Sequence, residues 1–71
     1  MKLYRYYCIM RPPMLGGIPH GGLWEVQVFS ERRYNPEIDR MVWGWVEYER
    51  ELTLQEVADY ELIMHPREGS E

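Results

Sequence analysis

The sequence contains a single cysteine, Cys8, and lacks any residue cluster typical of a catalytic or metal site. One cysteine excludes an intrachain disulfide, so the chain is not a disulfide-stabilised secreted domain. His20 and His65 lie far from Cys8 and from each other, without the spacing of metal ligands. Neither a phosphate-binding glycine motif nor a calcium-loop pattern occurs. We therefore expect a non-enzymatic protein with no cofactor and no metal.

Long apolar segments are also lacking. No stretch approaches the roughly 20 apolar residues needed to cross a membrane. The N-terminus, Met1 to Tyr6, lacks the apolar run of a signal peptide. We therefore expect a cytoplasmic protein without a membrane partner.

Positive charge is scarce after the first third of the chain. Residues 1–24 carry a net charge of +3 and residues 25–71 a net charge of −7. A nucleic-acid-binding protein usually carries a basic patch or stripe, so direct nucleic-acid binding is not expected. An acidic surface can instead dock on a basic surface of another protein.

The 71 residues are enough for one small domain. Alternating apolar residues predict strands over Leu3 to Met10, Leu23 to Ser30 and Met41 to Glu49. In the second of these, Trp24, Val26 and Val28 are expected to face the core. A Pro/Gly-rich loop, residues 11–22, and a polar connection, residues 31–40, separate the strands. Residues 65–71 are expected to fray.

One short helix is predicted near the C-terminus. Thr53 and Glu56 have the spacing of a capping box, which starts a helix from Leu54 to about Tyr60. Leu54, Val57 and Ala58 are expected to be its buried residues. Residues 62–64 then favour a short edge strand. The fold class is therefore α+β, a small antiparallel sheet of three to four strands with one short C-terminal helix packed on one face.

The third predicted strand is apolar on both faces. Val42, Val46 and Tyr48 share one face, and Met41, Trp43 and Trp45 share the other. The helix accounts for one face, which leaves the tryptophans to be covered by the Pro/Gly loop or by a partner. Aromatic residues are typical anchors of protein interfaces. The sequence thus predicts a protein-binding surface made of Trp43, Trp45, Glu47, Glu49 and Glu51.

Two alternatives remain open. In the first, the Pro/Gly loop folds over an aromatic platform and binds a small molecule or nucleotide. Its residues would be Arg5, Arg11, Gly16, Gly17, Gly21 and Gly22. In the second, the chain is a structural module whose additional apolar face is buried in a homodimer.

Three segments carry a resemblance to a known family. They are Tyr6-Tyr7-Cys8 leading into Arg11-Pro12-Pro13, then Trp43-Gly44-Trp45-Val46-Glu47-Tyr48, then the segment from Leu52 to Leu62. Together they resemble short Firmicutes and mobile-element proteins similar to the C-terminal domain of defence against restriction A (DarA). The likeness runs from about Tyr4 to Leu62 and supplies no catalytic residues.

The resemblance implies a phage- or plasmid-linked protein that helps foreign DNA to evade host defence. Combined with the predicted surface, it favours a small interaction protein that binds a host defence protein with a basic surface.

Overall fold

The computed structural model describes residues 2–65 and contains a four-stranded antiparallel sheet with one short α-helix. The strands are β1 (Tyr4–Cys8), β2 (Leu23–Asn35), β3 (Arg40–Tyr48) and β4 (Leu62–Met64), in the spatial order β2-β3-β1-β4. A 3₁₀ turn (Leu15–Gly17) lies between β1 and β2, and α1 (Leu54–Asp59) lies between β3 and β4. This confirms a small α+β fold with an antiparallel sheet.

Strand β3 lies inside the sheet, paired with β1 on one side and β2 on the other. Its residues alternate in burial because successive side chains point to opposite faces. The buried set, which marks the core face, is Val42, Gly44, Val46 and Tyr48. The half-buried set on the opposite face is Trp43, Trp45 and Glu47. We call this opposite side the tryptophan face; it also carries Arg5 and Tyr7 of β1, which pair in register with Glu47 and Trp45.

Two buried tyrosines form the centre of the core face. Tyr6 and Tyr48 are both fully buried, and their rings meet edge to face at 6.0 Å. The hydroxyl of Tyr48 donates to the carbonyl of Pro19 at 2.7 Å, and the hydroxyl of Tyr6 accepts from the amide of Leu52 at 2.9 Å. Burial raises the pKa of Tyr48, so its hydroxyl remains a donor.

The Pro/Gly loop covers the core face. Ile18 belongs to the core cluster, and the carbonyl of Pro19 is held by Tyr48. Pro13 lies directly above Gly44, where a Cβ atom would meet the proline ring at 3.0 Å. The loop therefore lies on the face opposite to Trp43 and Trp45.

Strand β2 departs from the prediction in length and in facing. It continues to Asn35, through the first half of the segment expected to be a polar connection. Trp24 is an extra residue between the pairs Leu23↔Tyr48 and Glu25↔Glu47, so it forms a β-bulge. Of the expected inward set, Val26 packs against the core cluster as predicted, but Trp24 is 50% exposed and Val28 is 48% exposed. Leu23, which was expected on the opposite face, also packs against the core cluster.

The helix begins as predicted, with a complete capping box. The amide of Glu56 donates to the Thr53 hydroxyl at 3.0 Å, and the amide of Thr53 donates to the Glu56 carboxylate at 3.0 Å. Of the residues expected to be buried, Val57 packs against the core cluster, but Leu54 is 89% exposed and Ala58 is exposed. Six residues are too few to bury a full apolar stripe. Among residues 2–65 no helix is long and apolar enough to cross a membrane.

The C-terminal edge of the sheet follows the prediction, with β4 pairing along β1 over three residues. His65, the first residue of the segment expected to fray, is buried, and its amide donates to the carbonyl of Arg5 at 2.9 Å. The rest of that segment, residues 66–71, lies outside the described residues.

We predict that Gly44→Ala strongly destabilises the protein. The new Cβ would overlap the backbone carbonyl of Gln27 and touch the ring of Pro13. Neither group can rotate away, so the free energy of unfolding should fall by about 3 kcal/mol, the cost of overpacking a tight core. Urea denaturation measures this change. Gly16→Ala is the matched control, because nothing lies within 4 Å of its Cβ position, and a loss of similar size there would contradict the steric explanation.

We also predict that Glu56 makes stability depend on pH. The hydrogen bond from Arg50, with that from the Thr53 amide, lowers the pKa of Glu56 from 4.5 to about 2. Because the pKa is lower in the folded state, the carboxylate stabilises the fold fully above pH 4.5 and loses this effect as the pH falls through about 2.

Thermal unfolding between pH 7 and pH 2 tests this dependence. Glu56→Gln should unfold at a lower temperature at neutral pH, and the difference from the wild type should shrink towards pH 2. Glu51→Gln, at an exposed position, serves as control and should follow the wild type. A Glu56→Gln difference that persists unchanged at pH 2 would rule out the ionised pair as its cause.

Candidate functional site

Trp45 lies beneath the side chain of Arg5 on the tryptophan face. The Arg5 guanidinium carbon is 4.0 Å from the centre of the Trp45 ring, a close cation–π contact. The same guanidinium donates to one carboxylate oxygen of Glu47 from Nε at 3.0 Å and from Nη2 at 2.8 Å. Burial lowers the pKa of Arg5, but the hydrogen bond and charge of Glu47 outweigh it, so the pKa is raised. These three side chains form one interlocked unit.

Trp43 is covered in a similar way. The guanidinium carbon of Arg32, on β2, lies 5.6 Å from the centre of the Trp43 ring. Both tryptophans are therefore half-buried under arginines of their own sheet. The Pro/Gly loop makes no part of this cover, since it lies on the core face. From the sequence we expected the loop or a partner to cover the tryptophans. Arginine stacking was not predicted.

The predicted acidic set divides into two kinds of carboxylate. Glu47 is held by Arg5, and its side chain is only 15% exposed. Glu49 and Glu51 follow β3 and are exposed. Within residues 2–65 neither of these two carboxylates has a hydrogen-bond or ion-pair partner. Glu49 and Glu51 are thus available to a partner, whereas Glu47 positions Arg5 over Trp45.

A further cluster on this face joins three distant parts of the sequence. The Tyr7 hydroxyl donates to Glu37 Oε1 at 3.1 Å, and His65 Nε2 lies 2.8 Å from the same oxygen. The rings of Tyr7 and His65 are 5.7 Å apart. Burial, with a smaller effect of Glu37, raises the pKa of Tyr7. No local sequence signal identifies this cluster, because it depends on the β2–β3 turn reaching over β1.

Of the residues of the alternative ligand loop, only Arg11 and Gly17 are brought together. Gly16 and Gly17 lie in the 3₁₀ turn, while Gly21 and Gly22 lie against the side chain of Arg50. Arg5 belongs to the tryptophan face. Arg11 instead lines a small, shallow cleft with Cys8, Gly17 and Tyr60 among its other residues.

The arginine and the thiol that line this cleft are, respectively, ion-paired and protonated. The guanidinium of Arg11 donates to the Glu61 carboxylate at 2.6 Å, which neutralises its charge. Burial raises the pKa of Cys8 to about 11, so the thiol is protonated at neutral pH. Among residues 2–65 no group of three or more His, Cys, Asp or Glu side chains could hold a metal ion.

Comparison with known proteins gives one result. The family model described as defence against restriction A C-terminal matches residues 1–67 of this chain. No match was found among curated proteins, and none among solved structures. The match covers every strand of the sheet and the helix, and so includes the whole tryptophan face.

We predict that Glu47 and Glu49 differ in their effect on stability. Glu47→Gln weakens the ion pair with Arg5 and loosens the stacking on Trp45. For a partly exposed pair this should lower the free energy of unfolding by about 1 kcal/mol. Glu49→Gln removes a solvated charge and should change it by less than about 0.5 kcal/mol. Equal effects in urea denaturation would show that Glu47 is not a structural carboxylate.

Proposed function

Because the chain belongs to the defence against restriction A C-terminal family, we propose that it protects foreign DNA inside a host cell by binding a host defence protein. In this proposal it is a cytoplasmic, non-enzymatic protein of a phage or other mobile element. The family name supports a role against restriction. The contact surface and the chemistry of the partner are argued from the geometry of the sheet.

The observation that carries the proposal is the unequal cover of the two sheet faces. The loop and Val57 of the helix pack on the core face. On the tryptophan face, Arg5 and Arg32 lie over the tryptophans, while Glu37 of the β2–β3 turn and His65 contact Tyr7. Half-buried tryptophans held flat by arginines form a rigid aromatic surface, and rigid aromatic groups lose little conformational entropy on binding.

The charges beside this surface indicate the partner. Glu49 and Glu51 are exposed at the end of β3 and carry no partner within the described residues. The chain as a whole has a net charge of −4. Such a surface attracts a basic protein surface and repels a phosphate backbone. A host enzyme that acts on DNA has a basic surface of this kind, which the acidic residues would steer towards the tryptophans.

The nucleotide-binding alternative receives less support. It needs an open arginine over an aromatic platform, but Arg5 and Arg11 are each ion-paired to a glutamate. They also lie in different places, one on the tryptophan face and one in the cleft. Thermal-shift measurements with a nucleotide panel test this alternative, and stabilisation by any member would favour it.

A restriction assay tests the proposal directly. The protein would be expressed in a host with an active restriction system, and plating of unmodified phage would be compared with that of modified phage. We expect expression to raise plating of unmodified phage and to leave modified phage unchanged. The double variant Glu49→Lys/Glu51→Lys should lose most of this protection, because it reverses the charge that attracts the partner.

Leu54→Ala is the matched control, since Leu54 is exposed and lies on the helix, away from the tryptophan face. It should protect as well as the wild type. The protein captured from the host should be retained by wild type and by Leu54→Ala, and released at high salt. Unchanged plating in every restriction background tested would overturn the role, and full protection by the double variant would overturn the surface.

A further inference from the structure

The outer edge of β2 is long and unpaired in the described part of the chain. β2 spans 13 residues, whereas the other edge strand, β4, spans three. Three large apolar side chains of β2 are exposed: Trp24 (50%), Val28 (48%) and Tyr34 (57%). An edge strand with free backbone groups and exposed apolar residues is a template for adding another strand.

The charged residues of β2 are distributed unevenly between the two ends of the strand. Glu25 lies near its start, whereas Glu31, Arg32 and Arg33 lie near its end, where the two bases outnumber the one acid. Neither arginine has a carboxylate partner among residues 2–65, in contrast to Arg5, Arg11 and Arg50. Each is instead held on a ring of its own chain, Arg32 over Trp43 and Arg33 over Phe29 at 4.5 Å.

The large bulge of β2 brings the opposite charges to the same face. Residues seven apart on a regular strand point to opposite faces. Glu25 pairs in register with Glu47, and Arg32 lies over Trp43, so both belong to the tryptophan face. The alternation of faces along β2 is interrupted between Val28 and Arg33, where β2 has extra residues relative to β3.

We propose that β2 pairs antiparallel with β2 of a second copy of this chain. With a two-fold axis between Val28 and Phe29, Glu25 of each copy lies opposite Arg32 of the other. Trp24 then approaches Arg33, and Val28 meets Phe29. Every contact occurs twice, which is the requirement for a closed symmetric dimer. Opposite charges facing each other across two strands stabilise the pairing.

The second copy is favoured over an unrelated strand because β2 is complementary to itself when reversed. A negative charge near one end and a net positive charge near the other favour an antiparallel partner with the same order. This dimer differs from a homodimer buried through an apolar sheet face, since it uses the sheet edge and leaves both faces open. It does not depend on the proposed host partner.

Charge reversal tests the pairing with the full chain. Sedimentation equilibrium over a concentration series should show a dimer for the wild type. Glu25→Arg and Arg32→Glu should each raise the dissociation constant roughly ten-fold or more, because each replaces two attractive pairs by two repulsive ones. An equal mixture of the two variants should form a heterodimer as tight as the wild type, because the introduced arginine of one copy then faces the introduced glutamate of the other.

Arg40→Glu is the control, since Arg40 lies on β3 and not on the outer edge, and it should dimerise like the wild type. Circular dichroism would establish that each variant is folded. A monomeric wild type at millimolar concentration would overturn the proposal. So would a mixture that stays monomeric, or single variants that dimerise as tightly as the wild type.

Discussion

The hydroxyl groups of two buried tyrosines determine where the irregular parts of this chain lie. A buried hydroxyl without a hydrogen bond is costly, so Tyr6 and Tyr48 each need a polar partner within the core. Tyr48 binds the carbonyl of Pro19, and Tyr6 binds the amide of Leu52. These two contacts fix the Pro/Gly loop and the segment before the helix on the same face of the sheet.

Because both of these segments lie on the core face, neither of them covers the tryptophan face. Trp43 and Trp45 are half-buried. Arg32 lies over Trp43, and Arg5 lies over Trp45. Stacked arginines bury ring area and keep a charged edge in water, which an aliphatic cover could not do. The face is thus stable in water and still presents aromatic surface, the combination that a binding protein needs.

The sequence predicted features that depend on neighbours in the chain and missed those that depend on distant partners. The capping box of Thr53 and Glu56 and the short strand β4 are local, and both are confirmed. The bulge at Trp24 depends on the register with β3, and this one extra residue turns Leu23 towards the core. The contact of Glu37 with Tyr7 and His65 likewise exists only once the β2–β3 turn reaches over β1. Of the candidate site, the sequence located the tryptophans and acids but could not separate Glu47, which holds Arg5, from the free Glu49 and Glu51.

A β2-paired dimer would bear directly on how the tryptophan face is used. Antiparallel strands of one continuous sheet are related by a two-fold axis perpendicular to the sheet, and this axis keeps each face on its own side. The two tryptophan faces would therefore lie side by side, with Glu49 and Glu51 of each copy at the strand ends. Two identical surfaces held at a fixed spacing bind a two-fold symmetric partner far more tightly than one surface does, because the second contact is intramolecular. A chain of 71 residues could in this way present a surface larger than its own sheet.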